Sequence, residues 1–440
     1  MSADLKISHN LNNIAVSITA LFSGIFIVVA GGLADRIGRI KMTYIGLLLS
    51  IVGSLLIVIS PSGTGVFLLA GRILQGLSAA CIMPATLALI QAYFDGKERQ
   101  RALSFWSIGS WGGSGLCSLF GGLIASTVGW RWIFIISIVV AIISYLFLRG
   151  TPESKVATTD KKSFDWVGII TFIMAIVALN IVIGQGSGLG WLSPAVLTGI
   201  AIFAISAIAF FRIETKSKSS FVDLTLFNNK TFSGATLSNF LLNGAAGTLL
   251  VSLALVQEEA GLSSLQSGLI TVGYLVAILS TIRVGEKLLQ KMGARKPMLI
   301  GCLITGIGIL FTSFTFLLAK QYLIVAFVGF TLFGVGLGFY ATPSTDAALS
   351  NVPGDKAGSA SGIYKMASSL GAAFGVAISA AIFYGLSKMK GTAPMADIFM
   401  GRTDNVNIRY AAGMGLLFNV FMVVIAIAAI IITVPNARSK

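Results

Sequence analysis

Thirteen stretches of about twenty apolar residues follow one another along this chain, and each has the length that crosses a bilayer as a helix. They run near 14–33, 42–60, 66–92, 103–126, 131–148, 166–185, 192–211, 232–256, 265–282, 297–318, 321–350, 358–385 and 408–434. Hydrocarbon offers no water to unpaired N–H and C=O groups, so stretches this long and this apolar are predicted to be helices. Composition agrees: 11% of the residues are charged, against about 25% in soluble domains. The fold class is therefore an all-α polytopic membrane protein. Pairs such as Gly109 and Gly113, or Gly334 and Gly338, have the spacing that lets helix backbones approach closely.

The same residues exclude several chemistries. The one histidine, His9, and the three cysteines, Cys81, Cys117 and Cys302, have no metal-ligand spacing, so no metal site is expected and the cysteines read as small packing residues. No G-x-x-x-x-G-K-[ST] stretch is present to cradle ATP. With no histidine inside a span and no close pair of acids there, no catalytic residue can be named and an enzyme is not expected.

Lysine and arginine set the predicted orientation. Of 31 basic residues, 22 fall in alternate loops and the C-terminal tail, seven on the opposite side, counting Arg131 and Arg409 at the ends of their spans, and two, Arg72 and Lys365, deeper inside spans. The basic side is expected to be cytoplasmic, which makes this a multi-pass cell-membrane protein with its C-terminus inside. The net charge of +15 is mostly this bias. Spread over many short loops, it fits anionic lipid headgroups rather than nucleic acid. An odd number of spans then puts Met1 outside, although the polar N-terminus carries no export signal.

The turn Gly31 to Lys41, GGLADRIGRIK, joins the first two spans and sets one acid, Asp35, among bases. An acid in a basic turn calls for a partner. The segment repeats: LADRIGRIK (Leu33 to Lys41) aligns with LLQKMGARK (Leu288 to Lys296), with Gln290 in place of Asp35. A two-bundle repeat is a transporter signature.

Several motifs together resemble one family. The turn matches G-x-L-A-D-R-x-G-R. Arg72, Gln75 and Gly76 match R-x-x-Q-G, followed by Ala79, Ala80 and Pro84. GWRWIF (Gly129 to Phe134) opens the fifth span, and FVDLTLFNNKTF (Phe221 to Phe232) leads into the later helices. The chain resembles the 14-span drug:proton antiporters of the major facilitator superfamily, the EmrB/QacA type, and within it the Gram-positive multidrug exporters. That resemblance implies two helix bundles and two linking helices: an N-terminal bundle over 1–150, the linking helices and a cytoplasmic loop over 151–230, and a six-helix C-terminal bundle over 231–440. By this count the family's first helix is absent here; a start codon read too late is the expected reason, with a truncated form or a protein that works with thirteen spans as the alternatives.

The implied function is proton-coupled efflux of amphiphilic, often cationic or zwitterionic, drugs by alternating access. The proton gradient would be the energy source, with no cofactor. Expected partners are small-molecule drugs, protons and membrane lipids, and a monomer is expected. A narrow-substrate transporter, including one that imports a nutrient, is the alternative, because fold fixes neither direction nor substrate. The resemblance implies a conformational latch at Asp35, Arg36, Gly38 and Arg39.

Departures from the family pattern also bear on function. The antiporter motif G-x-x-x-G-P-x-x-G-G should fall on the fourth span. The chain keeps Gly113, Gly121 and Gly122 but has Cys117-Ser118 at the centre. Acids carried by related exporters on the twelfth span are replaced here by Tyr364-Lys365 and Ser369. Charges inside a bilayer usually pair or work, so Arg72, Asp346 and Lys365 are coupling candidates, with Asp346 and Lys365 expected to pair at similar depth. Gln75, Asn239, Asn243, Tyr274, Tyr340, Tyr364 and Met366 are candidates for a substrate cavity, since aromatic and Met side chains adapt to flat amphiphiles. Helix packing is the competing reading for each.

Overall fold

The computed structural model describes residues 2–7, 9–113, 120–121, 123–125, 127–155, 165–216, 223–260, 269–387 and 405–436. The described elements are helical throughout: α1 (His9–Ile37), α2 (Arg39–Val58), α3 (Val66–Tyr93), α4 (Gly96–Ser107), α5 (Arg131–Leu148), α6 (Trp166–Leu189), α7 (Pro194–Lys216), α8 (Lys230–Gly244), α9 (Gly247–Ala260), α10 (Val272–Met292), α11 (Arg295–Thr312), α12 (Ala319–Leu349), α13 (Ala357–Ser387) and α14 (Val406–Thr433). Eleven segments among the described residues are long and apolar enough to cross a membrane. The two predicted spans outside that set have plain reasons. The stretch 103–126 runs into residues outside the description, and α10 carries Arg283, Glu286, Lys287 and Lys291 in its last turns. One predicted span, 232–256, is two helices, α8 and α9, separated at Ala245 and Ala246.

Helix ends follow from local chemistry. Asn229 caps α8 by accepting from the N–H groups of Thr231 (3.0 Å) and Phe232 (3.1 Å), as short polar side chains do for orphan donors. Asp165 caps α6 through the Gly168 N–H at 2.8 Å. Gly38 separates α1 from α2 at φ 118° and Gly293 ends α10 at φ 75°. Only glycine adopts such backbone freely, and these two glycines are matched positions of the repeat.

The chain forms two compact units that exchange segments. The first comprises Met1–Asp95, Ser114–Asn228 and Val352–Met366; the second comprises Gly96–Gly113, Asn229–Asn351 and Ala367–Lys440. In the first unit α3 packs against both α1 and α2, and α6 pairs with α7. In the second, α12 packs against both α10 and α11, α14 lies on α8 and α11, and α4 lies on α10 and α12. Thus α4 packs in the second unit although its chain neighbours belong to the first, and the start of α13 does the converse. Apolar side chains point outward from both, among them Phe147 (84% exposed) on α5 and Ile432 (79%) on α14, which suits a hydrocarbon surrounding.

Close backbone approaches show that α1–α3 and α10–α12 are copies. A Cβ on Gly53 or Gly71 would meet the carbonyl of the other at 2.8 or 2.5 Å, and one on Gly308 or Gly329 would do the same at 2.5 or 2.7 Å. Gly76 abuts the Thr19 carbonyl (2.5 Å) and Gly334 the Tyr274 carbonyl (2.4 Å). Thr19 and Gly53 map onto Tyr274 and Gly308 at the offset that maps Leu33 onto Leu288. Gly71 and Gly76 map onto Gly329 and Gly334 at a second constant offset. Where lipid supplies no hydrophobic drive, such contacts carry helix association.

Candidate functional site

Asp35 lies in the last turn of α1, buried in the first unit (6% exposed). Its carboxylate does two things. Oδ1 accepts from Arg39 Nε (3.1 Å) and Nη2 (2.8 Å). Oδ1 also accepts from the Gly358 N–H (3.0 Å), and Oδ2 from the Ser359 N–H (3.1 Å), both in the first turn of α13. The carboxylate therefore sits on a helix N-terminus, where unpaired N–H groups and the helix dipole favour negative charge. Arg39 is buried too, and its guanidinium spreads to the Gly354 carbonyl (2.6 Å), the Ser154 hydroxyl (3.3 Å) and the Ala88 carbonyl (3.4 Å). One acid and one base thus join α1, α2, α3, the segment after α5, and the start of α13.

Two features make this clasp fit. Gly31 and Gly358 face each other so closely that a Cβ on either would lie 2.4 or 2.3 Å from the other's carbonyl oxygen. A Cβ on Gly362 would lie 2.9 Å from the Ile27 carbonyl. Glycine at these positions allows α13 to approach near enough for Asp35 to reach its N–H groups. The second feature is Glu153, whose carboxylate accepts from the N–H groups of Ile40 (2.9 Å) and Lys41 (3.0 Å). It caps α2 from another part of the chain. A Cβ on Gly38 would strike it at 2.5 Å, so Gly38 is required there twice, for its φ and for its missing side chain.

A second acid works in the second unit. Asp346, near the end of α12, lies 3.4 Å from Arg99 Nε, and its Oδ2 accepts from Gln100 Nε2 at 3.3 Å, both on α4. Its carbonyl accepts from the Ser350 N–H (2.8 Å) and hydroxyl (2.6 Å).

With this geometry in hand, comparison with known proteins decides the class. The sequence profile of the Major Facilitator Superfamily matches residues 1–376 and again 232–439. The chain belongs to the Major Facilitator Superfamily. It is a transporter, not an enzyme. Quinolone resistance protein NorB of Staphylococcus aureus strain MRSA252 is 50% identical over 424 residues, 96% of this chain and 88% of that protein. The same-named protein of strain Newman is 52% identical over 405 residues, 92% of this chain and 85% of that one. Among solved structures, the proton:xylose symporter XylE superposes with a TM-score of 0.63 at 17% identity, covering 99% of this chain and 89% of that one. The human organic anion transporter MFSD10 gives 0.59 at 13%, covering 94% and 83%. At such identities these two show the fold alone.

As a major facilitator protein, the chain brings some predicted site residues together and sets others apart. Asp35, Gly38 and Arg39 converge as described, while Arg36 is half-buried. The partner of Asp346 is Arg99 rather than the expected Lys365, because α4 packs against α12 within the second unit. Lys365 is buried on the part of α13 that belongs to the first unit. Arg72 holds its guanidinium 5.2 Å from the Phe134 ring centroid and donates to Gln75 (3.3 Å), whose amide donates to Ser54 (3.1 Å). These contacts make Arg72 and Gln75 polar joints between helices of the first unit.

In the second unit Asn243 donates to the Asn239 side chain (2.9 Å) and carbonyl (2.8 Å), and Asn239 donates to Ser368 (2.6 Å). Tyr340 is fully buried, its hydroxyl shared with Ser238 (2.7 Å) and Ser344 (2.8 Å). The half-buried Tyr274 tilts against Phe333 at 5.6 Å. Tyr364 is buried and Met366 half-buried. Gly113 and Gly121 have open space or an ordinary contact where a Cβ would stand, and Gly122 lies outside the described residues. Among the described residues no His, Cys, Asp and Glu cluster could hold a metal ion.

Sequence reasoning missed Glu153, Ser154, Arg99 and Gln100, and the α13 N–H groups. Each is an ordinary polar or backbone group in a short loop or at a helix start, and only the fold reveals its partner.

Proposed function

We propose that this chain exports amphiphilic drugs, quinolones among them, from the cell in exchange for protons. The observation that carries this reading is half identity, over nearly the full length, to proteins named for quinolone resistance. The positive-inside distribution of Lys and Arg supports a cytoplasmic C-terminus. The clasp is completed within one chain, which supports function as a monomer. In the mechanism we infer, alternating access opens and closes the contact of Asp35 and Arg39 with α13. The closed state is stabilised by charge-assisted bonds to a helix N-terminus, and substrate and proton shift the balance only through their different affinities for the two states. Asn239, Asn243 and Ser368 form a polar set suited to orienting a substrate among apolar walls.

The test is accumulation of a fluorescent quinolone, and efflux of ethidium, in bacterial cells stripped of their own exporters and expressing this chain. Protonophore-sensitive efflux is the expected result. Unchanged accumulation with the protein present in the membrane overturns the reading and moves weight to a narrow-substrate or import role.

A further inference from the structure

Two segments are exchanged between the compact units: α4, which the chain enters and leaves from the first unit but which packs in the second, and the first residues of α13, for which the reverse holds. An acid grips each one near its start. Asp35 of α1 holds Gly358 and Ser359 of α13. Asp346 of α12 faces Arg99 and Gln100 of α4. The internal repeat does not generate this pairing. The repeat partner of Asp35 is Gln290, which donates to Glu286 (3.0 Å) on its own helix. Asp346 corresponds in turn to Ala88, whose only polar offering is its carbonyl. The second half of the chain therefore has Gln290 where the first has Asp35, and the acid that meets an exchanged segment stands on α12 instead. Both acids are buried, and burying a carboxylate in a membrane protein is costly unless it is paired.

We propose that Asp346, through Arg99 and Gln100, is a positioning residue for transport: it is the second clasp, holding α4 to α12 as Asp35 holds α13 to α1. This inference rests on the transport reading only for its consequence, since the clasp itself is a matter of geometry. Releasing it frees α4 from α12.

The experiment uses the full chain, in nanodiscs for distances and in exporter-deficient cells for efflux, with the three cysteines replaced by alanine and spin labels at Lys97→Cys, at the start of α4, and Asn351→Cys, just past α12. Both positions are exposed. The unaltered pair should give one short distance population. Asp346→Asn should add a longer one and lower drug efflux about tenfold, the order expected for removing a charge-assisted contact. The exchange Arg99→Asp with Asp346→Arg should restore the short distance and most of the efflux. Gln100→Leu, a milder change, should shift the distances partway.

An unchanged distance distribution in Asp346→Asn overturns the clasp. So does a loss of efflux that neither shifts the distance nor recovers in the exchanged pair, for then the acid acts on the proton directly. If the distances respond but the unaltered chain exports nothing, the clasp stands and the drug-export reading fails.

Discussion

Replacing Gly358 by alanine tests the clasp where its geometry is tightest. In a helix this change is favourable by itself, by about 0.8–1.0 kcal/mol of intrinsic propensity. The structure opposes it. The new Cβ would lie 2.3 Å from the Gly31 carbonyl oxygen and 2.6 Å from Asp35 Oδ1, whereas ordinary contact begins at 3.4 Å. The obstacles are backbone and a buried carboxylate, so α1 and α13 must part by about 1 Å, and the two N–H bonds to Asp35, now 3.0 and 3.1 Å, stretch past bonding distance. A hydrogen bond to a charged group contributes about 1.5–3 kcal/mol. Losing two and recovering the propensity gain leaves a net cost of about 2–5 kcal/mol to the clasped state, roughly thirtyfold or more in its population. Protonophore-sensitive efflux, normalised to protein in the membrane, should fall accordingly. Gly354→Ala is the matched control: it too lies at the α13 entry, its Cβ meets open space, and its carbonyl remains for Arg39. Efflux by Gly358→Ala within about threefold of the unaltered protein, or an equal loss in Gly354→Ala, would refute the reasoning.

Glu153→Gln keeps shape but removes charge from the α2 cap; efflux is expected to fall severalfold while Glu153→Asp, which keeps the charge, falls less, and the reverse order would deny the electrostatic cap. Asp223 lies outside the spans, with an ion pair to Lys356 and bonds to the Thr225 N–H and hydroxyl. Burial pushes its carboxyl up, but Lys356 and Thr225 together hold it below the usual carboxylate range. A depressed acid stabilises the fold above its unfolded pKa and loses that contribution as pH falls through the folded one. The melting temperature of Asp223→Asn should therefore lie below that of the unaltered protein at neutral pH and converge with it in acid; a gap that persists in acid denies the linkage. Tyr340→Phe strips the shared partner from Ser238 and Ser344 and should lower stability by about 1–3 kcal/mol while the KM for drug stays unchanged; a raised KM would return Tyr340 to the substrate site.

Periodicity and charge made the helices and their class legible, because twenty apolar residues have one solution in a bilayer. Asp35 was legible for a related reason: it stands among bases, and an acid there demands a partner. What it grips was not legible, since Gly358 and Ser359 offer only backbone N–H groups, and any helix start offers those. Glu153 was hidden by its loop, where an exposed acid reads as ordinary surface. Asp346 shows the limit of reasoning by depth. Two buried charges on consecutive spans, Asp346 and Lys365, are natural partners in a linear reading. The exchange of segments instead brings α4 against α12, and no local feature of residues 96–113 announces that.

The repeat sharpens where specialisation lies. Gly53 and Gly71 are reproduced by Gly308 and Gly329, and the contact of Gly76 on Thr19 by that of Gly334 on Tyr274. Packing of the two triplets is thus preserved to the level of single carbonyls. Three polar positions do not follow that symmetry: Asp35 corresponds to Gln290, Arg39 to Ala294, and Asp346 to Ala88. Backbone packing tolerates little change, since every added atom at those glycines meets a carbonyl. A charge at a helix end is free to differ wherever a neighbouring helix can supply it. The halves of this transporter therefore share a scaffold but not the polar contacts at their helix ends. In the first unit the start of α13 is held by helix-dipole and backbone bonds. In the second, α4 is held by a side-chain ion pair, which responds to charge reversal in a way that backbone bonds cannot. Asp35→Asn should consequently retain part of its hold through neutral acceptance of the Gly358 N–H, whereas Asp346→Asn, which leaves the half-buried Arg99 without its counter-charge, should cost more. Efflux measured on the two variants side by side decides this order, and a larger loss in Asp35→Asn would contradict it.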